Sequence, residues 1–455
     1  MFASADEAIL KKAVATIENA YENVAGGMSR FPGLSMFATT PGNKTYVTAY
    51  RNNLYAATDQ GRLYRISQAG AVEDVTGVPI SGGKRVMFTQ TEDQLVMAAG
   101  GPILHLLGER TKQLSTQAPE STHVAFIDGY LLAIEPYSGR FNFCDPGEYD
   151  VWNPLSVFSA NGKSDDLNAL VISPFREVLL AGVDSIEQYE TLANGNQPFS
   201  RRWTTGEGVF APYTLLTDKA GTFGVNSRFE FVRFAGQVSE DQSADVGLVL
   251  EKIDSWTEAW AAECGVKGQK LFVLQAPYAT NAHGTKGVTL LLDYRNKKWS
   301  FLFGWDDTNK RPARWPGWSV QRLWGRVYVG VPGGVAVLGD EDYRLFGKPF
   351  PFLIRSAHVD KWGSSRIDDV SIRMKTGVGQ YSDSYRPRVG LRVNRDNLGF
   401  DQWQFEDMGR PGEREMTFRW GGQGAADTWQ FEIAVSDNVP VEFVSMDVYV
   451  ERLRW

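Results

Sequence analysis

Seven times along this chain the same short pattern returns: a turn residue or two, an apolar strand, a break, and a second strand. It reads NNLYAAT (52–58), QLVMAAG (94–100), GYLLAIE (129–135), REVLLAG (176–182), GTFGVNS (221–227), QKLFVLQ (269–275) and GRVYVGV (325–331). The starts lie about 35 to 55 residues apart, near the period of four-stranded propeller blades, which bury their faces only by stacking on their neighbours. An all-β fold with a β-propeller as its main body follows. The first and last partial repeats can share a blade where the ring closes, so six blades are expected, with seven as the alternative. Uneven spacing places insertions at 192–208 and 306–318, on the faces where loops meet partners.

The composition fits that reading. Forty-six Gly and 20 Pro, beside 14 Trp, 17 Tyr and 26 Phe, are what many tight turns between aromatic-rich strands require. After Lys348-Pro349 the texture changes to longer strands with clean period-two alternation: SIRMK (371–375), RVGLRVN (388–394), QWQFE (402–406), EMTFRW (415–420), TWQFEIAV (428–435) and VEFVSMDVYV (441–450). Alternation marks strands with one buried face, and this spacing suits a β-sandwich. At the other end, Ser4 followed by Glu7 reads as a capping box, and Ile9, Ala13, Ile17, Tyr21 and Val24 recur at helical spacing until Gly26-Gly27. The expected organisation is therefore an amphipathic N-terminal helix and lead-in (1–29), a propeller with face insertions (30–348) and a C-terminal sandwich-like domain (349–455). A further short helix is expected around 244–262.

Charge and cysteine usage narrow the function classes. A formal net charge of −7 gives no basic footprint for tight nucleic-acid binding. No window approaches the roughly 18 uninterrupted apolar residues that cross a bilayer, so no membrane insertion is expected. The start of the chain lacks the pattern of a secretory signal, which points to synthesis in a cytoplasm. Cys144 and Cys264 stand alone, and His105, His123, His283 and His358 are scattered without ligand spacing, so neither a metal nor a cofactor is expected.

Catalytic signals are sparse. Acid pairs occur at Asp165-Asp166, Asp306-Asp307 and Asp368-Asp369; such pairs hydrolyse glycosides when they flank a sugar, and on turns they cap backbone amides. The segments DYRNKKWS (293–300) and RDNLGFDQW (395–403) read as Asp-containing hairpin turns pinned by an aromatic residue. No Gly-rich phosphate loop, GxSxG elbow or HExxH occurs, so no catalytic residue is assigned. The stretch 304–325 gathers Trp305, Trp315, Trp318 and Trp324 with Arg311, Arg314 and Arg322, and Trp and Arg anchor protein interfaces. Trp315, Trp318, Arg311 and Arg314 are the candidate interface residues, whereas Trp324 is expected in the core.

Several motifs occur in a telling order: W-x-P-L from Trp152, SDDLNALVISPFREVLLAG (164–182), DSIEQYE (184–190), then QPFSRR (197–202) with Gly206 and Gly208. RFPGL (30–34) lies upstream and VNRDNLGFDQWQFEDMG (393–409) downstream. Together they resemble the packaged-DNA stabilisation, or tail hub (nozzle), proteins of short-tailed bacteriophages, over most of the chain. The N-terminal helix has no counterpart in that resemblance. The resemblance implies a virion structural protein without chemistry: a ring of six subunits below the portal and adaptor proteins, continuing the DNA exit channel. Such a ring retains packaged DNA and anchors tail fibres, spikes or a needle, with double-stranded DNA as passing cargo that is not specifically bound. A carbohydrate-active propeller, sialidase-like or a lectin, is the competing expectation.

Overall fold

A computed structural model of the chain describes residues 3–4, 14–160, 162–192, 197–339, 341–376, 386–409 and 413–453. Each of the seven recurring segments forms the second strand of a four-stranded antiparallel sheet. Blade 1 runs from Thr45–Tyr50 to Val72–Asp74, blade 2 from Met87–Gln90 to Thr111–Gln113 and blade 3 from Val124–Ile127 to Val157–Ser159. Blade 4 runs from Ala169–Ile172 to Phe199–Thr204, blade 5 from Leu216–Asp218 to Val238–Asp241 and blade 6 from Trp260–Val266 to Lys298–Phe301. Blade 7 takes Ser319–Leu323, Arg326–Val331 and Gly334–Leu338, then borrows its outer strand, Leu34–Thr39, from the start of the propeller.

There are thus seven blades where six were expected. Sharing a blade at the closure completes the seventh sheet and removes none from the count. Seven apolar clusters fill the seven gaps between blades, from Tyr46, Leu63 and Leu95 between blades 1 and 2 to Val47, Leu54 and Val335 between blades 7 and 1. The predicted insertion at 306–318 is a hairpin, Phe303–Asp306 paired with Arg311–Arg314, between blades 6 and 7. At 192–208 the described part is largely the fourth strand of blade 4. The helix expected around 244–262 is a short turn and Gly247–Glu251 only, and by Trp260 the chain is a strand.

The alternating strands near the C-terminus form a two-layer sandwich. One sheet orders Ala20–Glu22, Met28–Arg30, Glu442–Arg452, Ser365–Lys375 and Glu415–Ala426; the other orders Val14–Glu18, Phe352–Ser356, Trp429–Val435, Arg388–Arg395 and Gln404–Asp407. Ile354, Ile433, Leu391, Ile372, Val448 and Trp429 pack between them. The expected N-terminal helix is corrected over its second half, from Val14 to Glu22, and its first half falls on residues outside those described. Ala3–Ser4, Val14–Glu18 and Ala20–Glu22 are strands of the sandwich, while residues 5–13 lie outside the described residues.

The two bodies share a sheet. Glu18 pairs in parallel with Phe301, the outer strand of blade 6, so blade 6 and one sandwich layer make nine strands in sequence. Two side chains fasten this seam. Asn19, left-handed at φ 56° and buried, donates from Nδ2 to the Pro351 carbonyl (2.8 Å), and its Oδ1 accepts the Phe303 amide (2.8 Å). Arg30 is 1% exposed and donates to the carbonyls of Val439 (3.1 Å) and Tyr343 (3.2 Å), and also to those of Asp437 and Phe350. One guanidinium thus ties the sandwich, the connecting segment and the start of the propeller.

Candidate functional site

The residues that lead into the innermost strands gather on one face of the disc, around its axis. Arg85, entering blade 2, places its guanidinium 5.0 Å from the ring of Tyr46 in blade 1 and 5.0 Å from that of Trp260 in blade 6. Lys44, entering blade 1, donates to both carboxylate oxygens of Glu258, which enters blade 6, at 2.7 and 2.6 Å. The Tyr278 hydroxyl adds a third bond to Glu258 at 3.1 Å, and His123, entering blade 3, stacks on Tyr213, entering blade 5. These contacts cross from one side of the ring to the other and close the axis with side chains.

The electrostatics follow from burial. Burial pulls Arg85 and Arg314 each down to about 10 from the usual guanidinium range. Burial alone pushes the His123 imidazole down to about 3, leaving it neutral. For Lys44 burial works the other way from its partners, and the bonds to Glu258 and Tyr278 prevail, holding its ammonium above the ordinary lysine value. This cluster is a paired, stacked closure.

Of the four candidate interface residues, two belong to the fold interior. Trp315 is fully buried among Leu271, Val273 and Val329, its ring folded onto Gly317, where a Cβ would stand 2.0 Å from the indole. Trp318 is 5% exposed, with Arg314 stacked 4.2 Å above its ring and Lys44 at 5.3 Å. An interface role for these rings is corrected: the W-P-G-W turn spends them on the gap beside blade 7 and on the axis. Arg314 also donates to Gln275 Oε1 at 3.2 Å, and Arg311 remains exposed on the hairpin. Trp324, expected in the core, is half-buried, donating to Asn52 Oδ1 at 3.0 Å where blade 7 meets blade 1. The axial cluster was not legible as a site, because its members come from loops and strands of separate blades. Lys44, Arg85, His123 and Glu258 share one position, one or two residues before an innermost strand.

Asp165 and Asp306 cap turn amides, whereas Asp307 and Asp368 pair with cations, Asp368 from within a strand. Asp165 accepts the amides of Val183 (3.2 Å) and Asp184 (2.8 Å) and the Ser185 hydroxyl (3.2 Å), and it lies against Gly182, where a Cβ would meet its Oδ2 at 2.2 Å. Gly208 in turn approaches the Gly182 carbonyl too closely for any side chain. Asp306 accepts the amides of Thr308 (2.9 Å) and Asn309 (3.2 Å), Asp307 pairs with Lys348 (2.7 Å) and Asp368 with Arg366 (2.8 Å). Both Asp-turn segments are hairpin pins: Asp293 takes the Arg295 amide at 3.1 Å, and Asp396 takes the amides of Asp427 and Thr428 at 2.8 and 2.9 Å. Cys144 and Cys264 are free and buried in blades 3 and 6. Among the described residues no group of three or more His, Cys, Asp or Glu is placed to hold a metal.

A second concavity lies at the seam. Between the sandwich and the Phe303–Arg314 segment runs a groove of about 620 Å³, lined by Glu18, His283, Trp305, Arg388, Arg392 and Glu432 among others. Glu432 is fully buried and held by Arg355 at 2.6 Å and by Arg392.

Fold and sites together define a seven-bladed β-propeller with a closed axis, joined edge to edge to a β-sandwich. No protein-family model matches the chain, and no curated protein does. Among solved structures it is similar to a streptogramin B lyase structure, at 8% identity and a TM-score of 0.47 over 67% of this chain and 97% of that one. It is also similar to the WD40 β-propeller domain of Doa1 (15%, TM-score 0.42, 69% and 100% covered) and to BamB from Moraxella catarrhalis (11%, TM-score 0.37, 64% and 92% covered). One of these is a lyase by name, and likeness at this level neither gives this chain an activity nor removes one.

Proposed function

We propose that this chain is the tail hub, or nozzle, subunit of a short-tailed bacteriophage, a virion structural protein that performs no chemistry. The observation that carries the reading is the ordered run of motif residues from Trp152 to Gly208, with RFPGL upstream. Several of these residues do mechanical work in this fold, while Leu155 and Phe175 stand exposed. Trp152 is 2% exposed and donates to the Tyr149 carbonyl at 2.9 Å, Asp165 and Gly182 lock the edge of blade 4, Phe199 fills the gap between blades 3 and 4, and Arg30 fastens the seam.

The physics of the role is consistent. Side chains close the propeller axis, so a duplex passes between subunits of a ring and not through one of them. Six copies carry 6 × −7 = −42 formal charges, which disfavours the phosphate contacts that would hold DNA to the wall, and salt screens the repulsion beyond about 8 to 10 Å. Closed propellers leave only short sheet edges, which suits a concentrated assembly. Portal and adaptor proteins above and fibre, spike or needle proteins below are the partners in this reading. Hydrolysis is disfavoured because Asp165 and Asp306 cap turn amides, Asp307 and Asp368 are paired with cations, and Glu432 is neutralised by two arginines.

Two measurements test it. Electron microscopy of the purified chain, alone and with portal–adaptor complexes, should show six-membered rings, and particles made without it should lose their DNA after packaging. DNA-filled, infectious particles lacking this chain would remove the proposal.

A further inference from the structure

The floor of the seam groove is the outward face of a sheet whose strands bond to one another, so recognition there falls to side chains. Its volume of about 620 Å³ lies in the range of small-molecule sites. Glu18 is only 7% exposed, yet its carboxylate takes no hydrogen bond from a described residue; the nearest donor, His283 Nε2, stands 3.5 Å from Oε1. That His283 nitrogen is itself buried without a hydrogen-bond partner among the described residues. One nitrogen is therefore buried without a hydrogen bond, 3.5 Å from a carboxylate that no described residue bonds, an arrangement a ligand hydroxyl would complete.

The walls narrow what that could be. Trp305 presents a half-buried ring with no aromatic or cationic neighbour among the described residues. Arg388 lies 4.7 Å over the Phe405 ring and donates no side-chain bond to a described residue, while Lys310 stands on the hairpin wall. A lipid requires apolar walls throughout, a nucleic-acid strand a row of unneutralised cations, and an added peptide strand a free sheet edge. The lining supplies none of these. It supplies an aromatic face for an apolar ring surface, a carboxylate and an imidazole for hydroxyl groups, and two cations at the rim.

We propose that this groove binds a short acidic oligosaccharide. One ring lies on Trp305, hydroxyls bond to Glu18 and His283, and the sugar carboxylate meets Arg388 and Lys310. Glu432, held by Arg355 and Arg392, takes no part in the binding. This does not rest on the tail-hub reading.

The purified full chain should be tested on an array of oligosaccharides containing sialic or uronic acids, beside matched neutral ones, with hits titrated by calorimetry. Acidic oligosaccharides should be retained, and W305A and R388A should each weaken binding about tenfold or more without moving Tm. Both are partly or fully exposed, so they decide the matter even where the buried E18Q fails to fold. No retention of acidic oligosaccharides, equal retention of neutral ones, or unchanged binding in both rim variants would overturn the proposal. Ring formation is scored separately by microscopy, so the two readings fail independently.

Discussion

Arg30 shows how much one residue holds. Its guanidinium serves carbonyls from Tyr343, Phe350, Asp437 and Val439, and removing it orphans acceptors buried on both sides of the seam. Arg30→Met should cost about 3 to 5 kcal/mol in denaturant unfolding, and Arg30→Lys should recover only part, because an ammonium cannot span the same carbonyls. Asn19 separates two effects. Glycine tolerates its φ of 56° and alanine does not, so Asn19→Ala should be about 1 kcal/mol less stable than Asn19→Gly, both having lost the bonds to Pro351 and Phe303. His123 predicts a pH effect. Its folded value, about 3, lies below the unfolded value of about 6.5, so the unfolded chain binds the extra proton between them. Stability should fall as pH drops through that window, by up to about 5 kcal/mol, and His123→Phe should flatten part of the fall in melting scans across pH.

At the scale of elements, the second strands were legible because both their faces are buried: Leu95–Ala98 and Val178–Ala181 are apolar throughout, and a continuous apolar run survives any register. The outer strands, such as the exposed Val72–Asp74, carry no such signal. Hydrogen exchange should accordingly be slowest in the seven second strands and fastest in the fourth. The N-terminal misreading has a local cause. Left-handed Asn19 turns the chain between two short strands, so Ile17 faces the sandwich core and Tyr21 the core beside blade 7, and their four-residue spacing imitates a helix. The tryptophans of 304–325 misled for a similar reason: Gly317 lets Trp315 fold back into the interior, which composition cannot reveal. Neither member of the Glu18–His283 pair is marked by sequence, since 265 residues separate them (283 − 18) and only the shared sheet unites them. Burial pushes the Cys144 thiol up to about 11 and that of Cys264 up to about 12, so neither should react with alkylating reagent at neutral pH until denaturant exposes both.

For the whole molecule, the acidic charge and closed axis are what the tail-hub proposal uses, and they would have served other propellers equally. The ordered motifs are what set the proposal apart; among their residues Asp165 locks a turn, Phe199 fills a gap between blades and Arg30 ties the seam. The sandwich and propeller, joined by a shared sheet and by Asn19 and Arg30, should unfold in a single calorimetric transition, and Arg30→Met should broaden it by weakening one of those ties.

Blade 6 is the only blade whose outer edge continues into another body among the described residues. A load applied to the sandwich therefore enters the disc through a sheet at one blade, along hydrogen bonds that run across the strands, with the Asn19 and Arg30 ties beside it. Whatever grips the sandwich, this chain has a built-in direction in which it is stiff, and that direction is set by Glu18 and Phe301.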